Sequence, residues 1–202
     1  MTGHVSDRAS ASRQRLANAA SQAFAERGFH ATTTRDIAAA AGMSPAAVYV
    51  HHSSKEELLH SISERGHAVI LELIRAAIGA SDDPREQVGA AIGAMSENHA
   101  QNHVVARVVN YELGALSPEH HEQILAMRQQ ITAELQAVVD RGVASGVFTT
   151  TQPRMAANAL LSLAVDVARW YHEDGSWSPA DVGAFNAEAA LRIVGAQPTA
   201  TP

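Results

Sequence analysis

The chain has 202 residues, of which 46% are apolar and 4% aromatic, with a formal net charge of −6 and no cysteine. That length holds one small domain plus a medium one, or a single helical body, and the apolar share is enough for a sizeable core. Without cysteine, disulfides and thiolate metal sites are excluded. No apolar run reaches the roughly 18 residues of a membrane helix, and the first residues show no signal-peptide pattern; the expected location is the cytoplasm.

The acidity is unevenly spread. Residues 1–65 carry seven Lys/Arg and six Asp/Glu, a balance of +1, whereas residues 66–202 carry eight and fifteen, a balance of −7. Binding to a polyanion therefore needs only a local basic patch in the first part. Aromatic and β-favouring runs are scarce, which predicts an all-α fold.

Residues 1–10 are small and polar and read as a disordered arm. Arg8, Arg13 and Arg15 precede or open the first helix, either as contacts to a nucleic-acid backbone or minor groove or as solvated charges. That helix is predicted over about 12–27, with Leu16, Ala19, Ala20, Ala23 and Phe24 on one face and Gly28 at its end. Thr33 can cap a second helix, with Asp36 as its capping-box partner. Ile37, Ala38 and Ala41 share a face, and Gly42 supplies the left-handed exit. Ser44 caps a third helix with Pro45 at its first position, and Val48 points inward. Helix, glycine turn, helix is the spacing of a helix-turn-helix, whose second helix enters the DNA major groove.

The run from Gly28-Phe29 to Lys55-Glu56-Glu57-Leu58 resembles the DNA-binding segment of the TetR family of transcriptional regulators. There a Gly-aromatic step ends helix 1, a Thr caps helix 2, and Ile-Ala and Ala-Gly flank the turn. A Tyr closes the recognition helix, and a His, an aromatic and a Lys lead into helix 4. Two positions depart from that pattern. His52 stands where the family has a buried Phe, so looser packing is expected, and Ala47 replaces a Gly, which stiffens the recognition helix. The resemblance implies that Thr33, Tyr49, His51 and Lys55 contact phosphates. Ser44, Pro45, Ala46 and Ala47 would lie nearest the base edges, and Arg35 would reach a base or a phosphate.

A long fourth helix is predicted to about residue 79, opened by Ser54 and Glu57 as a capping box and bent at Gly66. Its roughly 24 residues span about 36 Å, enough for a connector. Further helices follow at about 84–100, 103–115, 117–142, 153–172 and 179–194, with a loop over 145–153 and a disordered tail from Gln197. The resulting architecture is a three-helix DNA-binding domain, arm included, over residues 1–56 and a six-helix ligand-binding and dimerisation domain over 57–202. In the TetR family the last two helices form the dimer interface. Leu160, Leu161, Leu163, Val167, Phe185, Leu191 and Ile193 supply apolar surface for it here.

Two stretches, Asn-Tyr-Glu-Leu-Gly-Ala-Leu-Ser-Pro-Glu-His over 110–120 and Arg-Trp-Tyr-His-Glu-Asp-Gly over 169–175, resemble TetR-type repressors of fatty-acid and steroid degradation genes. Many of those respond to acyl-CoA thioesters. The resemblance implies an apolar tunnel with cationic or aromatic groups at its mouth, for which Arg107, Arg169, Trp170 and Tyr171 are candidates. Asn110, Tyr111 and Asp166 are further candidate ligand contacts, although Arg169 could instead pair with Glu173 and Trp170 plug a core. Gly114 stands where the pattern often has Arg.

His99 and His103 are spaced four apart, but no Glu-containing zinc motif accompanies them, so neither metal nor cofactor is expected. The function expected is a ligand-controlled regulator, a repressor that binds a palindromic operator as a homodimer and is released by an apolar ligand such as an acyl-CoA. The alternatives are a multidrug-sensing repressor with a promiscuous pocket and an all-α metal-dependent enzyme. The enzyme reading lacks a nucleophile elbow, a phosphate loop and a complete ligand set.

Overall fold

The computed structural model describes residues 3–197, with side chains from residue 10 onward. Among the described residues there are nine α-helices and no strand. They are α1 (Gly3–Arg27), α2 (Thr34–Ala40), α3 (Pro45–His51), α4 (Lys55–Gly79), α5 (Pro84–Gln101), α6 (His103–Tyr111), α7 (Pro118–Ala144), α8 (Pro153–Trp170) and α9 (Pro179–Ile193). A short 3₁₀ turn, Leu113–Ala115, follows α6. The fold is all-α, as composition and periodicity predict.

Several boundaries differ from expectation. Helix α1 begins at Gly3 rather than near residue 12, so the segment expected as an arm is helical from there; Met1 and Thr2 lie outside the described residues. Helix α6 stops at Tyr111, because Glu112 leaves the helical region and the chain tightens into the 3₁₀ turn. Helix α8 ends at Trp170, where Tyr171 turns extended. The chain stays ordered through Gln197, whose N–H donates to Val147 O at 3.0 Å; residues 198–202, where a disordered tail was expected, lie outside the described residues. Within the expected loop, Phe148 makes an isolated antiparallel bridge with Ala196.

The chain forms two compact units, and both are discontinuous in sequence. One comprises residues 1–66 and 104–124, the other 67–103 and 125–202. In the first, the α1 face supplies Leu16, Ala20, Ala23 and Phe24, all buried, and Phe24 meets Phe29 with ring centroids 5.3 Å apart. Ile37, Val48, Leu58, Leu59, Val108 and Ile124 are buried as well. Each such aliphatic or aromatic side chain contributes about 1.5–3 kcal/mol by leaving water. In the second unit α5 packs against α8 and α9. Its core joins Ile74, Val88, Ile92, Leu135, Val139 and Leu160. A buried hydrogen bond from Asn186 Nδ2 to Ser96 Oγ, 3.0 Å, fixes the register of α9 on α5.

Helix α4 runs unbroken through Gly66, from Lys55 to Gly79. The missing side chain lets α6 come close, because a Cβ on Gly66 would stand 2.9 Å from Val109 Cγ2 and 3.1 Å from Cγ1. Valine is stiff about χ1 and its methyls cannot swing aside cheaply. Gly66→Ala is therefore expected to destabilise by about 1 kcal/mol, overpacking outweighing the gain in helix propensity. In a Val109→Ala background the same change should be stabilising. A double-mutant cycle by urea denaturation measures both.

Candidate functional site

The stretch from Thr33 to Lys55 folds locally for reasons visible in its own residues. The Thr33 hydroxyl accepts from the Asp36 N–H at 3.2 Å and donates to Asp36 Oδ2 at 2.7 Å, and the Thr33 N–H donates to the same oxygen at 2.9 Å. This reciprocal box satisfies otherwise orphaned donors at the start of α2. The Asp36 carboxyl is held below the usual range, first by the Thr33 hydroxyl, then by its N–H, with Arg27 3.8 Å away adding a smaller attraction. At the other end Gly42 sits at φ +66°. Gly42 N–H donates to Ala39 O at 3.1 Å and Met43 N–H to Ala38 O at 2.9 Å. That pair of bonds is a Schellman closure, which needs a left-handed residue where glycine stands.

Helix α3 then starts afresh, with the Ser44 hydroxyl accepting from Ala47 N–H at 3.3 Å and Pro45 in the first turn. Val48 is fully buried and anchors the helix, while Ser44, Pro45 and Ala46 are exposed and Ala47 is half-exposed. The face offered outward is small and smooth. Arg35 and Thr33 are exposed beside it on α2, and His51 is half-buried at the end of α3. Tyr49 is 56% exposed, and its hydroxyl lies 3.3 Å from Thr34 Oγ1. Thr34 was not singled out from the sequence; it fixes where the phenol points.

Lys55 has partners that its sequence setting does not suggest. Its ammonium donates to Phe29 O at 2.6 Å and to Thr32 O at 2.7 Å, and sits 4.1 Å from the centroid of the Phe29 ring. Two of its three N–H bonds are thus spent on the turn between α1 and α2, and burial lowers its pKa. Thr32, almost fully buried, completes that turn with its hydroxyl 2.9 Å from Gly28 O and 3.1 Å from Ala23 O. The next two residues also reach outward. Glu56 binds the Ser117 N–H and His120. The Glu57 N–H donates to Ser54 Oγ at 3.0 Å, while the Glu57 carboxylate reaches past Ser54 to the Ser53 N–H. The expected capping box is therefore closed by one bond, with the second shifted a residue back. His52 is half-buried, and burial is the main cause of its lowered pKa.

The ligand-site candidates separate into two groups. Arg107, Asn110 and Tyr111 belong to the first unit, where Asn110 Nδ2 donates to Ala106 O at 2.9 Å and Tyr111 is 49% exposed. Asp166, Arg169 and Trp170 belong to the second. Arg169 pairs with Asp166 at 2.9 Å rather than with Glu173, because residues three apart face each other within a helix while Glu173 lies beyond the end of α8. Tyr171 is the buried aromatic, packed with Ala100, Val167 and Val182; Trp170 is 41% exposed and meets Trp177 edge to face at 6.4 Å. A groove of about 640 Å³ along α7 and α8 is lined by Leu125, Arg128, Gln129, Thr132, Gln136 and Arg154, among others, and by none of the six candidates. Burial pushes His99 down to about 4, with His67 nearby adding to the effect, so it is neutral in ordinary buffers. Among the described residues no three His, Cys, Asp or Glu side chains converge as a metal site.

Two seven-residue helices joined by a left-handed glycine turn, the second with a small, bare outer face, define a helix-turn-helix DNA-binding protein. Comparison with known proteins agrees. The family model described as "Bacterial regulatory proteins, tetR family" matches residues 16–62, and that of the "Tetracyclin repressor-like, C-terminal domain" matches residues 81–194. The chain belongs to the TetR family. It is 29% identical over 163 residues to the HTH-type transcriptional activator FasR of Mycolicibacterium smegmatis, covering 80% of this chain and 73% of FasR. Its identity to the HTH-type transcriptional repressor KstR2 of Rhodococcus jostii is 28% over 166 residues, 81% of each chain. Among solved structures, a tetR-family regulatory protein from Rhodococcus RHA1 superposes with a TM-score of 0.86 at 38% identity, covering 92% of this chain and 98% of that one. AibR, solved with isovaleryl coenzyme A and operator DNA, shares the fold with a TM-score of 0.81 at 19% identity, covering 92% and 100%. The chain is a ligand-responsive transcriptional regulator and not an enzyme. No helix among the described residues is long and apolar enough to cross a membrane.

The geometry of Lys55 separates a structural role from a phosphate contact. Lys55→Met keeps the apolar stem but strands two carbonyls, and should cost about 2 kcal/mol of stability in the DNA-free protein. A residue that only touched phosphate would lower DNA affinity and leave thermal unfolding unchanged; a melting curve without DNA distinguishes them.

Proposed function

We propose that the protein is a repressor that binds a palindromic operator as a homodimer in the cytoplasm and is released by an apolar ligand, an acyl-CoA thioester. The observation that carries the DNA half is the exposed first turn of α3 (Ser44, Pro45, Ala46), held on the buried Val48 with Arg35 and Tyr49 beside it. Small side chains let that helix approach base edges, while Thr33, Arg35, Tyr49 and His51 flank it as phosphate or base contacts. One short helix reads few base pairs, so two copies about 34 Å apart are needed. Exposed apolar groups on α8 and α9 (Met155 on one, Phe185 and Ile193 on the other) support pairing through those helices. Residues 1–56 are the DNA-reading part and 57–202 the ligand-binding and dimerising part, with 104–124 serving as scaffold to the first.

The ligand class rests on the relatives. AibR is described with isovaleryl coenzyme A, and KstR2 is named a repressor. FasR is named an activator, so the sign of regulation is tested rather than inherited. The contacts proposed are Arg107, Asn110, Tyr111, Asp166, Arg169 and Trp170. Arg169 is 70% exposed in its side chain and already neutralises Asp166, so a phosphate would have to compete for it. By linkage, the ligand must bind the DNA-free dimer more tightly than the DNA-bound one.

The test is binding of the purified protein to the intergenic DNA upstream of its own gene, followed by fluorescence anisotropy while short-chain, long-chain and steroid-derived acyl-CoAs are added. Specific binding released by one of them is expected; binding that none disturbs removes the acyl-CoA and keeps the regulator. Arg35→Ala should weaken specific binding by about 1–3 kcal/mol, roughly 5- to 150-fold, with no change in melting temperature.

A further inference from the structure

The first unit holds a cluster of titratable side chains away from the exposed face of α3. Glu56, in the first turn of α4, accepts from the Ser117 N–H at 2.8 Å, and its two oxygens lie 2.8 and 3.0 Å from His120 Nδ1. His60, one turn further along α4, stacks on the His120 ring with centroids 3.8 Å apart and planes only 4° from parallel. His60 Nε2 is buried with no hydrogen-bond partner. Glu57 adds negative potential at His120 from α4, and is itself shared with the Ser53 N–H and His52.

Burial would raise the Glu56 carboxyl, but the Ser117 N–H and His120 outweigh it and hold the group below the usual range. It is therefore a charged acceptor wherever imidazoles titrate. Neutral His120 with its proton on Nδ1 already donates to Glu56, and a further proton on Nε2 makes an imidazolium paired with the carboxylate. One added proton is thus accommodated. A second must go to His60, placing two cations face to face and burying an N–H that has no acceptor. The stack and the second proton are incompatible.

We propose that Glu56, His120 and His60 form a proton-operated latch. With at most one added proton it fastens the start of α7 to the first turn of α4, and a second proton opens it and lowers operator affinity. The expected sign is unusual. Protonating histidines makes a protein more cationic and ordinarily strengthens phosphate binding, whereas here acidification through the imidazole range, about 6.5, weakens it. Only the DNA readout rests on the operator reading above; the latch itself is a property of the free protein.

The experiment follows amide hydrogen exchange of residues 112–121 in the full chain from pH 7.5 to 5.5, corrected for intrinsic rates. Protection at Ser117 is expected to fall severalfold in the wild type, up to about tenfold. It should stay level in His60→Phe, which keeps a stacked ring that cannot take a proton. A flat wild-type profile, or the same fall in His60→Phe, overturns the proposal. On the upstream DNA at fixed ionic strength, affinity should drop at least tenfold over the same range in the wild type only. Unchanged or rising wild-type affinity overturns the proposed effect on DNA. Loss of protection with no specific DNA binding at either pH supports the latch and overturns the operator reading instead.

Discussion

Three consecutive side chains in the first turn of α4 hold the DNA-binding unit together. Successive residues on an α-helix point about 100° apart, so neighbours in sequence can serve separate segments. Lys55 takes the carbonyls of Phe29 and Thr32, Glu56 takes the Ser117 N–H and His120, and Glu57 takes the loop before its own helix. Two of the three are charge-assisted bonds formed in partly buried surroundings, where such bonds are strongest and their loss most costly. The turn before α2, the start of α7 and the end of α3 thus all meet one turn of one helix. The placement of α3 is a consequence of that arrangement as much as of its own cap.

The outer face of α3 is plain by comparison. Ser44, Pro45 and Ala46 contribute little more than a small surface and a defined helix start, and the strong groups stand around them. This division suits groove binding, where phosphate contacts set position and close approach of the helix decides which base edges are read. Thr34 beside Tyr49 shows how a neighbour on α2 can fix the direction of a side chain on α3.

Most of the fold was legible because its signals are local. The capping residues Thr33 and Ser44, the proline that opens α3 and the exit at Gly42 act within four residues of themselves, so α2 and α3 start or stop as expected, and α5 and α9 begin at the expected residues. The misses are of two kinds. The start of α1 and the end of α8 carry no strong signal. The contacts of Gly66, Lys55 and Arg169 and the Glu56–His120 pair depend on partners that sequence does not bring into view. Glu56 and His120 are 64 positions apart, and nothing in either neighbourhood announces the other. Gly66 reads in sequence as a bend because glycine weakens a helix; its neighbour Val109, which a Cβ would crowd, is not visible there. Arg169 had two acidic residues within reach of its spacing, and the end of α8 chose between them. The ligand candidates were chosen by resemblance of two short stretches and by residue type, criteria that cannot say which compact unit a side chain joins.

The interleaving of the two units bears on how such proteins can be recombined. A cut placed after the helix-turn-helix treats the reading head as a cassette, yet here its compact unit also draws on residues 104–124. A chimaera that grafts only the N-terminal helices onto another regulator's body would pair Glu56 and Gly66 with foreign neighbours. The exchangeable piece is two segments of chain, and sequence divergence in residues 104–124 should track that of the head rather than that of the body into which it is written.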